Sequence, residues 1–368
     1  MNKKNVVYVF ISGRKDKLLE ESSDYAKEFF YGYQYFKKIG HNLSIIEFDK
    51  KVSIFNAIYF LLNKISDLPF YGQNLINRKN FKILRDTDDI VLTNQKTAFS
   101  ILPMLLLVKT RKSLNSHVFI MGLFGKQMKY KIKYFFREIF IRILILSSKN
   151  LIFLGYGEYE YAINKYSKYR EKFKFLPFAI DTEFWKYSQK KISTKDILFI
   201  GNDGMRDYDF LEKLILNMPD HNFKVVSSKF ESNIELNNLE LYKGDWGASK
   251  FSDDFIRNLY KKSILTILPI KNTYQPSGQS VALQSISVGT PVMITKTEGY
   301  WDKSNFINKE NIYFIEKNDI ELWKNNIENY LQNLIKAEKV QLNGRKLIEK
   351  KYNLESFFSE LENIIFSS

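Results

Sequence analysis

Short, mostly apolar segments recur along this chain, each separated from the next by a longer stretch of helical composition. In the first half they are NVVYVFIS (5–12), LSIIEF (43–48), DIVLTN (89–94), HVFIMG (117–122) and NLIFLG (150–155). In the second half they are DILFIG (196–201), FKVVSS (223–228), LELYKG (239–244), LTILPI (265–270), PVMIT (291–295) and IYFIE (312–316). A strand that is apolar on both faces must be covered on both faces. Strands of this kind, alternating with helices, specify parallel sheets sandwiched between helical layers. At 368 residues the chain exceeds one ordinary core and suits two. The expected fold is therefore α/β, with two Rossmann-like doubly wound domains in tandem. DYAKEFFYGYQYFKKIG (24–40) is expected to form one helix closed by Gly40. The polar, strand-poor stretch 179–196 places the boundary near 178–195. The expected units are residues 1–180, residues 181–350 and a terminal segment 351–368. In that last segment Asn353 caps a helix with Leu354, Phe357, Phe358, Leu361, Ile364 and Ile365 on its apolar face.

Composition removes several chemistries. Cysteine is absent, so disulfides, thiol nucleophiles and thiolate metal sites are excluded. The three histidines, His41, His117 and His221, are far apart in sequence, which argues against a histidine metal site. Neither the N-terminal segment nor Ile139–Leu146, the longest greasy run, has the length of a signal core or a bilayer span. A cytoplasmic protein, at most held to the inner face of a membrane, is expected. The net charge of +15 is one-sided: residues 1–180 carry 31 Lys and Arg against 15 Asp and Glu, and the remainder is nearly balanced. Residues 101–150 hold ten basic residues and one acid. Lys126, Lys129, Lys133 and Arg137 share a helical stripe flanked by aromatics, which suits peripheral contact with an anionic membrane and equally a solvated face. No nucleic-acid motif accompanies the charge, and no nucleic-acid partner is expected.

Ligands of doubly wound sheets sit beyond the carboxyl ends of strands, beside helix N-termini. Two stretches fit. In ILFIGNDGMRDYDFL a strand ends at Gly201, a turn follows through Asn202, Asp203 and Gly204, and Arg206 stands by a helix start, where amides and a guanidinium can hold phosphate. In QPSGQSVALQSISVGTPV (275–292) a polar loop with Gln275, Ser277 and Gly278 opens a helix from about Gln279 and Ser280. Ala282, Ser285 and Gly289 lie on one close-packing face, and Gly289 and Pro291 end the helix. Both stretches also suit an ordinary capped turn without a ligand. After the first strand, Ser12, Gly13 and Arg14 occupy the loop where a second ligand would be met.

These segments resemble the motifs of the GT-B glycosyltransferases of family 4. SVALQSISVGTPVMIT is similar to the family's LEAMA-x-GTPV signature, LPFAIDTEFW (176–185) to its interdomain NGVDTEFF, and ILFIGNDGMRDYDFL to its strand and phosphate turn. EGYWDKSNFINKENIYFIEKND and KYNLESFFSELENII resemble its later loop and its terminal helix, which crosses back to the first domain. The resemblance covers residues 176–368. It implies a GT-B fold facing a cleft, with a variable acceptor domain first and a nucleotide-sugar domain second. It further implies transfer of a sugar, with retention and without metal, from a UDP- or GDP-sugar to a glycan or lipid-linked acceptor. Gly201, Asn202, Asp203, Arg206, Ser277, Gly278, Gln279, Ser280 and Gln284 would bind the donor, with Arg206 and Gln275 at the reacting centre. Ser12, Gly13 and Arg14 would face the acceptor. No cofactor beyond the nucleotide-sugar is implied.

The chain departs from the pattern at the family's paired glutamates. The second stands at Gln284 and the first at Pro276, next to Gln275; an amide can hold a hydroxyl but brings no charge. A non-catalytic nucleotide or glycan binder, or a basic polyanion-binding protein, are the alternatives. Asp86-Thr87-Asp88 matches the metal-binding Asp-x-Asp of another transferase class, but aspartates also crowd naturally into turns before strands.

Overall fold

The computed structural model describes residues 3–19, 25–48, 56–71, 75–125, 130–187, 195–232, 234–244 and 251–366. Two six-stranded sheets form, and every strand pair in them is parallel. The first contains β1 (Asn5–Phe10), β2 (Asn42–Glu47), β3 (Asp89–Leu92), β4 (Asn115–Ile120), β5 (Asn150–Phe153) and β6 (Phe173–Phe175), in the order β2-β1-β3-β4-β5-β6. The second contains β7 (Ile197–Ile200), β8 (Phe223–Val226), β9 (Leu239–Tyr242), β10 (Leu265–Leu268), β11 (Val292–Thr295) and β12 (Tyr313–Ile315), in the order β12-β11-β10-β7-β8-β9. That order reverses direction between β7 and β10, and this is the switch point at which a doubly wound sheet opens a crevice.

Helices cover both faces. The first half has α1 (Arg14–Leu19), α2 (Tyr33–Lys38), α3 (Asn56–Ser66), α4 (Arg78–Arg85), α5 (Gln95–Lys109), α6 (Lys131–Ser147) and α7 (Tyr156–Lys165). The second has α8 (Tyr208–Leu216), α9 (Asp253–Lys262), α10 (Gln279–Val288), α11 (Ile320–Gln332), α12 (Leu334–Lys351) and α13 (Leu354–Phe366). Side-chain caps mark many of the starts. Asn94 and Thr97 form a capping box on α5, Ser252 caps α9 and Asp319 caps α11.

Eleven strands fall on the apolar segments read from the sequence, and β6 was not among them. At three residues, FKF, it is too short for alternation to show. The single helix expected over 24–40 is instead a 3-10 turn, Glu28–Phe30, followed by α2. Tyr31 and Gly32 both take left-handed angles between them, so the chain cannot continue as one helix. The break aims Glu28 into the space between the domains.

Three apolar clusters fill the interior. One lies within each domain, and the third runs through both, joining Tyr8, Phe119 and Phe178 to Trp185, Ala282, Trp301, Tyr352 and Leu361. α13 crosses back to the first domain. Its Glu362 accepts from the Tyr35 hydroxyl at 2.8 Å, its Ile364 carbonyl accepts from Asn150 Nδ2 at 2.8 Å, and Phe357 stacks on Phe119. The cap expected from Asn353 is present, with Ser356 N donating to Asn353 Oδ1 at 2.8 Å.

Candidate functional site in the interdomain cleft

The loops after β7 and β10 meet at the switch point. Asp207 N donates to Pro269 O at 3.0 Å and Lys271 N to Met205 O at 2.8 Å, which fastens the two loops side by side. The fastening delivers Arg206 to Ser277. Arg206 Nη1 donates to Ser277 Oγ at 2.6 Å and lies 3.1 Å from Asp203 Oδ2, while Ser277 Oγ donates to that same carboxylate oxygen at 2.8 Å. The guanidinium is 3% exposed and lies against the backbone of Gly201, where a Cβ would overlap Arg206 Nε. That Nε is buried without a hydrogen-bond partner among the described residues. A buried donor left open is costly, so the cluster holds an unused bond for an acceptor.

The other residues singled out from sequence divide into two groups. Gly278 takes φ 84° as the N-cap of α10, an angle available to glycine at little cost, and Ser280 sits half-buried in the first turn. The first helical bond of α10 runs from Ala282 N to Gly278 O, so the amides ahead of it belong to the open end of the helix. Asn202 is committed within its own domain. Its Oδ1 accepts from Ser228 N at 2.6 Å and from Ser227 Oγ at 3.1 Å, tying the loop after β7 to the loop after β8.

Gln275, Gln279 and Gln284 instead face the first domain. Gln279 Nε2 donates to Leu154 O at 2.9 Å. The Gln275 side chain lies against the Gly122 and Gly125 backbones, where a Cβ would come within 2.8 Å of it. Gln284 is fully buried; its Nε2 donates to Glu28 Oε1 at 2.8 Å and its Oε1 accepts from Tyr260 at 3.3 Å. Ser12 Oγ donates to Phe48 O, and Arg14 N donates to Glu47 Oε1 at 2.6 Å with its guanidinium 5.2 Å above the Phe29 ring. Ser12, Gly13 and Arg14 follow β1 at the carboxyl-end edge of the first sheet.

The domains are closed on each other here. Pro276 lies against Gly155, Thr273 Oγ1 donates to Gly125 O, and Tyr156 N donates to Trp301 O at 2.9 Å. Gly157 approaches the Glu298 backbone so closely that a Cβ would overlap the Glu298 carbonyl oxygen. A cavity of ≈830 Å³ opens beside this contact, at the carboxyl ends of β10, β11 and β12, lined by residues such as Lys271, Lys296, Tyr300 and Asn318. It lies next to the Arg206 cluster rather than on it.

Two acids not singled out from sequence are central. Glu28 is fully buried and accepts from Trp185 Nε1 at 2.8 Å as well as from Gln284, and burial pushes its carboxyl up to about 7. Glu158, in the first turn of α7, accepts from Gly122 N at 2.8 Å and Phe124 N at 2.7 Å, which shapes the loop that meets Gln275. Burial raises its pKa to about 7 as well. The paired glycines after β4 and β5, in MGLFG and LGYG, were the sequence signal for this close approach. Glu28 gave none beyond being an acid ahead of an aromatic run.

Asp86, Thr87 and Asp88 lie before β3, at the opposite edge of the sheet. Asp88 Oδ2 accepts from Asn5 N at 2.9 Å and Thr87 Oγ1 donates to Ile83 O, so both serve the turn. No group of three or more His, Asp or Glu among the described residues is arranged to hold a metal ion. Of the expected basic stripe, Arg137 faces inward, buried between the Asp67 and Leu123 carbonyls. Lys126 and Lys129 fall outside the described residues.

No family model matches the sequence, and no curated protein matches it. Among solved structures, sucrose-phosphate synthase from Thermosynechococcus elongatus is similar at a TM-score of 0.69 and 12% identity, covering 98% of each chain. A glycosyltransferase from Rickettsia africae is similar at 0.69 and 13%, covering 100% of each chain. Anabaena HepE, in complex with UDP and glucose, is similar at 0.65 and 10%, covering 99% of this chain and 100% of that one. At these identities the likeness is one of fold: the chain has the GT-B glycosyltransferase fold, two Rossmann-like domains facing a cleft.

Proposed function

We propose that the protein is a nucleotide-sugar-dependent glycosyltransferase that moves a hexosyl unit from a UDP- or GDP-sugar to a glycan or lipid-linked acceptor, with retention and without a metal ion. In this reading residues 181–350 hold the donor, residues 1–180 the acceptor, and residues 351–368 brace the two. The observation that carries it is Arg206 at the switch point, buried, with Nε unpartnered and the open end of α10 alongside. The bond from the sugar C1 to the diphosphate oxygen breaks as the acceptor hydroxyl oxygen bonds to C1, and the hydroxyl proton leaves with the departing phosphate. Negative charge grows on that phosphate, and Arg206 with the first amides of α10 stabilises it in place. One such preorganised donor is typically worth about 100-fold or more in rate. Gln275 would hold a sugar hydroxyl, and Ser12, Gly13 and Arg14 would meet the acceptor.

The test is thermal stability with UDP-glucose, GDP-mannose or the nucleotide diphosphates alone. A ligand at a hundred times its Kd stabilises the fold by about 2.7 kcal/mol. Arg206→Ala is expected to abolish the ligand-induced increment, whatever it does to the starting Tm; an undiminished increment overturns the phosphate assignment. One observation favours a second reading, a binder without turnover. Pro276, with Gln275 beside it, and Gln284 stand where the resemblance has carboxylates, and the Gln284 amide is held by Glu28. Donor-dependent release of nucleoside diphosphate in the presence of acceptor separates the two.

A further inference from the structure

α6 is apolar on two faces. Ile141, Leu144 and Ile145 enter the core, while Lys131, Phe135, Ile139, Arg142 and Leu146 form a stripe on the outward side, spaced three and four residues apart. Ile132 is 64% exposed and Phe135 58%. α3 packs beside α6 and extends the outward face with Ile58, Leu61 and Phe60, the last 71% exposed. A monomer rarely leaves aromatic and aliphatic side chains contiguous and uncovered, so this face has an occupant.

Charge identifies the occupant. α3 contains no carboxylate. α6 contains one, Glu138, and it is committed to Lys165 Nζ at 2.6 Å and the Tyr166 hydroxyl at 2.9 Å. The outward stripe therefore offers cations among apolar groups and no free anion. A second copy of the chain would bring the same cations against these and be repelled. An anionic bilayer complements both properties, because aromatics and aliphatics enter the headgroup boundary while Lys and Arg meet lipid phosphates.

We propose that the α3–α6 face is a docking surface for an anionic lipid bilayer, with Phe60, Ile132 and Phe135 inserting and Lys131 and Arg142 contacting phosphates. No described helix is long and apolar enough to cross a membrane, so the contact is peripheral. α6 begins at the carboxyl-end edge of the first sheet, the edge whose loop meets Gln275, so docking sets the cleft beside the bilayer. The proposal goes beyond the transferase reading and does not depend on it.

The test is flotation of the full chain with vesicles of phosphatidylcholine alone or mixed with phosphatidylglycerol, at low and high salt. The protein is expected to float with the mixed vesicles only, and to be released by salt. Each Lys or Arg at such a surface is worth roughly fivefold in partitioning, so Lys131→Ala with Arg142→Ala lowers it about 25-fold. Phe60→Ser with Phe135→Ser abolishes flotation while the circular dichroism and Tm stay unchanged, since both side chains are solvent-exposed. Absence of flotation with mixed vesicles overturns the proposal. So does flotation that survives both pairs of substitutions, or a dimer in sedimentation that the same substitutions dissolve.

Discussion

Glu28 is where the interdomain contact is most sensitive to a single proton. Its carboxyl is buried between the Trp185 indole, the Gln284 amide and the linker backbone, with Asp181 N donating at 3.3 Å. Burial, and to a smaller degree the nearby Asp181 carboxylate, lifts its pKa from 4.5 to about 7 against the hydrogen bonds that favour the anion. Because the folded value is above the unfolded one, the native chain holds a proton that the unfolded chain releases as pH rises from 4.5 to 7. Unfolding free energy therefore falls through that window and levels off above it. At 1.36 kcal/mol per unit the fall is about 3 kcal/mol. Glu28→Gln copies the protonated acid and keeps an acceptor for Trp185 and Gln284. The variant is expected to match the wild type near pH 4.5 and to exceed it by about 3 kcal/mol at pH 8 in chemical denaturation. Glu158 moves in the same direction but is present in both chains, so it cancels in the difference. A difference between the two chains that stays constant across this range, or that favours the wild type more as pH rises, would refute the argument.

The remaining predictions concern the same contact. Gly157→Ala places a methyl on the Glu298 carbonyl oxygen, so the domains are expected to separate at that edge, read as an increased radius of gyration in solution scattering. An unchanged radius with unchanged stability would contradict the close approach. Gln284→Glu sets a second buried carboxylate against Glu28, and breaking the hydrogen-bonded pair should cost about 3 kcal/mol or more. The swap Glu28→Gln with Gln284→Glu is expected to recover most of that loss, and failure to recover shows that the two side chains do not act as a pair. Asp203→Asn removes the charge that occupies Arg206 and should tighten nucleoside diphosphate binding several-fold in calorimetry; weaker binding would mean that Asp203 assists the ligand instead.

Most of the architecture was legible because apolar strands announce burial on both faces. FKVV, LTIL and VMIT need no partner to be recognised, and Gly289-Thr290-Pro291 marks the end of α10 unambiguously. The nearness of the Arg206 turn to the Ser277 loop was legible too, since each follows a strand at the switch point, but the direct bond between the two side chains was not. What was not legible depends on two distant segments meeting. Glu28 and Gln284 are 256 positions apart, and no local pattern links an acid in EFFYGY to an amide in LQSIS. Tyr31 at φ 48° breaks the expected helix by tertiary packing, its ring lying 4.7 Å from Phe119. Arg137 looked like a surface cation because helical spacing alone cannot distinguish an outward arginine from one drawn inward by two carbonyls.

The closed contact also constrains how a ligand is admitted. In this arrangement several of the polar groups proposed for the donor already have partners: Arg206 has Asp203 and Ser277, Gln279 has Leu154, and Gln284 has Glu28. An entering diphosphate therefore gains only the difference between its own bonds and those it displaces, and it shifts the domains only by that difference. At Arg206 the exchange is favourable in kind. Asp203 satisfies the guanidinium through a single nitrogen, whereas a phosphate offers several oxygens and can reach the unpartnered Nε as well. At Gln284 it is not, because freeing the amide takes one of the hydrogen bonds from a Glu28 carboxyl that is fully buried. The two halves of the cleft thus have opposite tendencies: the Arg206 end favours an anion, and the Glu28 end resists opening. Protonation of Glu28 weakens that resistance, because the Gln284 bond favours the charged carboxyl, and this couples ligand entry to pH through a residue too deeply buried to meet the ligand itself.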